Sequence, residues 1–175
     1  MDIVRCTTGL RHRLAAVAQW PHTPDANVNI LRASFSRDLV DAARLGDSER
    51  VRQLLDAGVA PAIMSVGHGH TALHAAAAYG HEAVVSILLA RGCTPDLSNA
   101  MGSTPLALVV HAIADNPETQ TLEALYQIAH MLLDAGASPK LGPGREHTPL
   151  VLARRYGLAR LEAVLLPHCD SPYFP

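Results

Sequence analysis

Aromatic side chains are scarce in this sequence, at 4% of 175 residues. The core must therefore be aliphatic, and little flat surface is left on which bases or sugar rings could stack. Charge is thin as well: the net value is −2 with histidine neutral, and lysine and arginine form no run or stripe. A duplex-binding protein draws its affinity from several phosphate contacts, so no nucleic-acid partner is expected. Apolar runs fall far short of the ~20 residues of a membrane span, so no membrane partner is expected either. Cysteine appears three times, as Cys6, Cys93 and Cys169, far apart and odd in number. No pair has metal-ligand spacing and the three cannot all pair within one chain, which points to a reducing compartment, the cytoplasm. The N-terminus has Arg5, Arg11 and Arg13 around a short apolar patch at 14–18. It is too short for a secretory core and no small-residue cleavage site follows; an organellar transit peptide is the alternative for such an Arg-bearing start. Gly-x-Ser-x-Gly, a phosphate-cradling Gly-rich loop and His-Glu-x-x-His are all missing. No enzyme and no cofactor are expected.

What the sequence does have is self-similarity at a fixed period. Thr71-Ala72-Leu73-His74-Ala75-Ala76 is answered 33 residues on by Thr104-Pro105-Leu106, and 44 beyond that by Thr148-Pro149-Leu150. Gly80 stands nine residues after Thr71, and Gly157 nine after Thr148. Gly80-His81-Glu82 leads into Val84, Val85, Ile87, Leu88 and Leu89, then Gly92; the last copy has Leu165-Leu166. A first copy lacks Thr-Pro but keeps Ala42-Ala43, Gly46-Asp47, Val51, Leu54-Leu55 and Gly58, 34 residues ahead of the second.

Each unit reads as helix, turn, helix and loop. A threonine at the helix start accepts a backbone N–H, and Pro105 and Pro149 occupy the next position, where a missing N–H is harmless. The small residues Ala75, Ala76, Ala77 and Ala78 let the first helix lie close to its neighbours, and Gly80 ends it. The aliphatic run after Gly80 gives a second helix with a broad apolar face. Gly58, Gly92 and Gly136 stop the second helices, and Pro61, Pro95 and Pro139, three residues on, turn the chain away. No such unit buries both its faces alone, so stability comes from stacking.

Over residues 36–167 these landmarks resemble the ankyrin repeat, with its Thr-Pro-Leu-His-x-Ala-Ala, Gly-His and Val-x-x-Leu-Leu-x-x-Gly-Ala. The resemblance implies an all-α solenoid of stacked helix-turn-helix units with projecting β-turn-like loops. The repeats fall at about 36–69, 70–102, 103–146 and 147–167, with an N-terminal helix or linker extension at 1–35 and a C-terminal tail at 168–175. Polar residues mark the outer units as caps: Asp41, Arg44, Asp47, Glu49, Arg50 and Arg52 in the first, Arg154, Arg155 and Arg160 in the last. Residues 10–20 read as a helix and 21–29 as a linker, with Trp20 packing as a cap on the first repeat or the segment docking with a partner. The third copy holds 11 extra residues between its helices, close to three α-helical turns, so its helices can lengthen in register. Asn116 and Pro117 read as the start of its second helix, expected to run to 135, with Leu122, Leu125, Ile128, Ala129, Leu132 and Leu133 on one face. The extra length is either neutral variation or a binding protrusion.

Ten histidines, with His68, His70, His74 and His81 close together, raise the question of metal. No cysteine or acidic residue joins them at ligand spacing, so no metal site is expected, and a metal-dependent enzyme using the loop histidines is the remotest reading. By the resemblance His74 and His81 are structural, and Cys93, where the family usually has alanine, is a buried small hydrophobe. The loops have Thr94 and Ser138 where the family has a bracing aspartate. Ankyrin proteins bind through the concave surface of loop tips and first helices, which here implies Met64, Val66, His68, His70, Tyr79, Met101, Ser103, His111, Arg145, His147, Arg155 and Tyr156. Ser65, Ala100, Gly144, Arg44, Leu45, Ala78 and Ala112 flank them. Met, Tyr and Arg are residue types that interfaces favour. The function expected is a non-catalytic binding module, a monomer with one protein partner. It would act as an inhibitor or neutraliser of a toxin or enzyme, as short bacterial-type ankyrin proteins do. A secreted effector that binds a host protein is the alternative.

Overall fold

The computed structural model describes residues 26–65, 67–115 and 121–169, with residues 26–33 as backbone alone. Among the described residues there are eight α-helices and no strand beyond a single antiparallel bridge between Met64 and Thr71. They form four helix pairs: α1 (Ala26–Leu45) with α2 (Ser48–Asp56), α3 (Ala72–Ala78) with α4 (Glu82–Ala90), α5 (Pro105–Asp115) with α6 (Leu122–Asp134), and α7 (Pro149–Arg155) with α8 (Ala159–Leu165). The first helices α1, α3, α5 and α7 pack in one row, and the second helices α2, α4, α6 and α8 in another.

Local chemistry sets these elements. Thr71 caps α3 by accepting from His74 N–H, and His74 returns the bond to the Thr71 N–H, forming a capping box. Thr104 and Thr148 accept from the N–H groups of Ala107 and Val151, each with proline at the first helical position. Asp47 caps α2 by accepting from the Arg50 N–H. Gly46 lies at φ +74°, where an added Cβ would meet the His81 ring at 2.6 Å, so the turn needs glycine for its backbone and for the approach of the next repeat.

The core runs the length of the stack. Leu39, Leu54, Leu73, Leu88, Leu106, Ile113, Ile128, Leu132, Leu152, Leu161 and Leu165 are fully buried, one or more from every helix. Burying each contributes roughly 1.5–3 kcal/mol. Ala72, Ala75, Ala76 and Ala77 are buried on several sides of α3, and their small size lets α1 and α5 flank it closely.

The long third unit divides its extra residues evenly. Helix α5 has 11 residues against seven in α3, α6 has 13 against nine in α4, and the connection takes the remaining three of the 11. Each helix is thus longer by about one turn, or ~6 Å. The added turn of α6 packs over the second unit, with Thr121 and Leu125 next to Gly80. Leu125, Ile128, Ala129, Leu132 and Leu133 are buried and Leu122 is partly so, the face expected from their spacing.

Three expectations need correction. Helix α1 starts at Ala26, ten residues ahead of the expected repeat start and inside the segment read as a linker. At the other end, Leu166–Cys169 form a short 3-10 helix packed on α8, so His168 and Cys169, placed in the tail, belong to the packed end of the stack. Arg160, read as a polar cap, reaches back to the preceding unit: it donates to both oxygens of Glu123 on α6 at 2.9 Å and lies 4.0 Å from the centre of the Tyr126 ring. The readings of residues 10–20, of the Trp20 cap, and of Asn116 and Pro117 as a helix start lie outside the described residues.

Candidate functional site

The loops project from one edge of the stack and are tied to each other. The Ser65 N–H donates to the His70 carbonyl at 2.8 Å within one loop, and the Ala100 N–H donates to the His68 carbonyl at 3.0 Å between loops. Asn99 accepts from the N–H groups of Met101 and Ser103, holding the tip between them. Asp96 accepts from the Ser138 N–H at 2.9 Å. This is an inter-loop brace, supplied two residues after the Thr94 position where the resemblance had suggested a missing one. Burial raises the Asp96 pKa, and the bond from Ser138 opposes that.

Histidines link the repeats. The His74 ring accepts at Nδ1 from the Thr71 N–H and donates from Nε2 to the Ser103 carbonyl at 3.0 Å, which joins its helix to the next loop. Burial lowers its pKa to about 4, with the neighbouring His70 contributing and the Ser103 bond opposing. His81 donates from Nε2 to the Arg44 carbonyl at 2.9 Å, which joins it to α1 of the preceding unit. Both are structural, as the resemblance implied. His70 stacks on His74 with centroids 5.6 Å apart and lies 5.8 Å from His68. Its pKa is lowered by burial and by His68, and its Nε2 has no hydrogen-bond partner. Among the described residues no group of three or more His, Cys, Asp or Glu is placed to hold a metal. Cys93 is buried beneath the loops, its Sγ 3.5 Å from the Pro61 carbonyl, and burial pushes its thiol up to about 11. Such a thiol is a packing group, not a nucleophile.

A groove of about 580 Å³ opens between α1, α3 and the loop before α3. His68, His70 and Tyr79 line it, with Arg44, Ser65 and Ala78. Arg37, Val40, Asp41, Ala75 and Leu108 complete it, and these were not anticipated. Their signal was present in part: 37, 40, 41 and 44 form an i, i+3, i+4, i+7 stripe on one face of α1. The remaining candidates spread along the stack. Tyr156 bonds its hydroxyl to His111 Nδ1 at 3.1 Å, ring edge to face. Arg145 lines a second hollow with Lys140, Leu141 and Leu150, and His147 is exposed on the same loop. Met64 and Met101 are exposed on their loops and Arg155 is exposed at the end of α7. Ser103 has its carbonyl taken by His74. Val66 lies outside the described residues.

One repeat position stands out. Tyr79 and Tyr156 each follow the last residue of a first helix and precede its glycine, and Leu45 holds the same place before Gly46. All three are exposed, at 56%, 42% and 71%. In the lengthened third unit the position falls inside a helix, at Ala112.

Two rows of helices with braced loops along one edge define a helical-repeat solenoid. The match of the ankyrin-repeat family (three copies) to residues 39–141 shows that the chain belongs to that family. Ankyrin repeats are protein–protein interaction modules. The chain is similar to the mouse "Ankyrin repeat and SOCS box protein 16", 35% identical over 102 residues, which is 58% of this chain and 22% of that protein. It is 31% identical over 124 residues to the human "Neurogenic locus notch homolog protein 4", covering 71% of this chain and 6% of that one. A "Transient receptor potential cation channel subfamily A member 1 homolog" of Caenorhabditis elegans is 34% identical over 84 residues, 48% of this chain and 7% of its own length. The chain thus spans between 6% and 22% of these relatives.

Proposed function

We propose that the chain binds one protein partner, as a monomer and without catalysis, on the face formed by its loops and first-helix ends. Binding there restrains the partner, as an inhibitor or toxin-neutralising protein does. One observation carries the binding reading: exposed Leu45, Tyr79 and Tyr156 recur at a single repeat position, with a groove beside Tyr79. Scattered exposed apolar residues need no explanation, but a row of them at equivalent positions, including two tyrosines, has the composition of a contact surface. The restraint reading draws on rigidity. Loops held to one another by Ala100, Asp96 and His74 are already in place before contact, so binding loses little entropy and the covered surface stays covered. Cys93, a free and buried thiol, suits a reducing, cytoplasmic setting.

The test is capture from native lysate with wild type and with Tyr79→Glu and Tyr156→Glu, each first checked for folding by circular dichroism. A single protein held by wild type and lost by both variants is expected, and its own activity should fall when the chain is added. Equal capture by all three would refute the face, and capture without loss of the captured protein's activity would refute the restraint.

A further inference from the structure

We propose that the groove between α1 and α3 takes an extended segment of the partner that presents a carboxylate beside an apolar side chain. This rests on the reading of this face as the binding face. The groove's size suits one or two side chains of a protruding segment better than a flat domain surface. Its floor is apolar, with Val40, Ala75 and Leu108, and Tyr79 forms a wall.

The rim decides the sign of the guest. Asp41 is the one carboxylate among the described lining residues, and Arg44 lies 3.6 Å from it, so that charge is already answered. Arg37, four residues before Asp41, lines the same groove and has no carboxylate partner among the described residues. A basic segment laid on the floor would be repelled by Arg37. An uncharged one would strip water from the guanidinium and return nothing. A carboxylate meets the fork of donors that a planar guanidinium offers, while its apolar neighbour covers the floor.

The experiment uses the full chain and three fluorescent short peptides that share a central leucine. The leucine is flanked by Asp and Glu in the first, by Asn and Gln in the second, and by Lys in the third. Anisotropy titration at low salt should show the acidic peptide binding about tenfold tighter than the amide peptide, and the basic one weakest. The acidic advantage should shrink in high salt. Arg37→Glu should abolish that preference and Arg37→Gln should weaken it. Arg52→Glu, on α2 away from the groove, alters net charge equally and should leave the preference intact. Equal affinity for the three peptides, no binding of any, or an acidic preference that survives Arg37→Glu would each overturn the proposal. If that happens while Tyr79→Glu still loses the native partner, the binding face stands and only its carboxylate chemistry falls.

Discussion

His74 has both ring nitrogens engaged inside the protein, one accepting from its own cap and one donating to the next loop. The network requires the neutral ring with its proton on Nε2. Replacing it with alanine leaves the Thr71 N–H and the Ser103 carbonyl unanswered, so His74→Ala should lose roughly 3 kcal/mol in a urea titration. The same ring makes stability depend on pH. Its pKa is about 4 in the folded chain, against ~6.5 for an unperturbed histidine. Between those values the unfolded chain binds the extra proton, so stability is full above pH ~6.5 and falls as pH drops toward 4, by about 3 kcal/mol for this group. Urea midpoints should decline across that window in wild type and decline less in His74→Gln. An equal decline in the two would assign the loss to other groups. Much at this scale was legible: the structural roles of His74 and His81 and the burial of Cys93 were implied by the family resemblance that the landmark residues carry. The Asp96 brace was not, because it depends on which loop backbone faces it across the stack.

Among the elements, α7 shows how little intrinsic stability a unit has. Seven residues are too few to hold a helix in water, so the Thr148 cap, Pro149 and packing on α5 hold it together. Thr148→Ala should cost about 1 kcal/mol in thermal or urea unfolding, and Thr148→Ser much less, since serine keeps the accepting oxygen. If both cost the same, the methyl group and not the cap would be the stabilising part. Helix α6 is fastened differently, through Arg160 from the last unit. Arg160→Ala should lower the melting temperature slightly in low salt and hardly at all in high salt. Periodicity made the helix pairs readable because each needs its own apolar face. The start of α1 was misread because 26–35 shows no repeat landmark; length beyond a repeat is set by the chain there and not by the repeat pattern. The groove was half readable, since α1 displays its stripe but only stacking puts it opposite His68 and Tyr79.

Across the whole molecule, stability is a sum of units and neighbour contacts, and the middle units have neighbours on both sides. Native-state hydrogen exchange should be slowest in α3, α5 and α6 and fastest in α8 and the first turns of α1. Uniform protection would mean that the stack opens only all at once. Trimming α5 and α6 by one turn each should raise exchange at the Gly80 turn that Thr121 and Leu125 cover. An unchanged rate there would make the added length irrelevant to the second unit.

The lengthened third unit also interrupts the row of exposed side chains. Leu45 and Tyr79 are one unit apart, but Ala112 leaves a blank before Tyr156. With helices stacked ~10 Å apart, the intervals along the face are one step and then a double step. Such spacing reads differently from its two ends. A guest fitted to it has a polarity, and reversing it end for end would set its anchors against the blank.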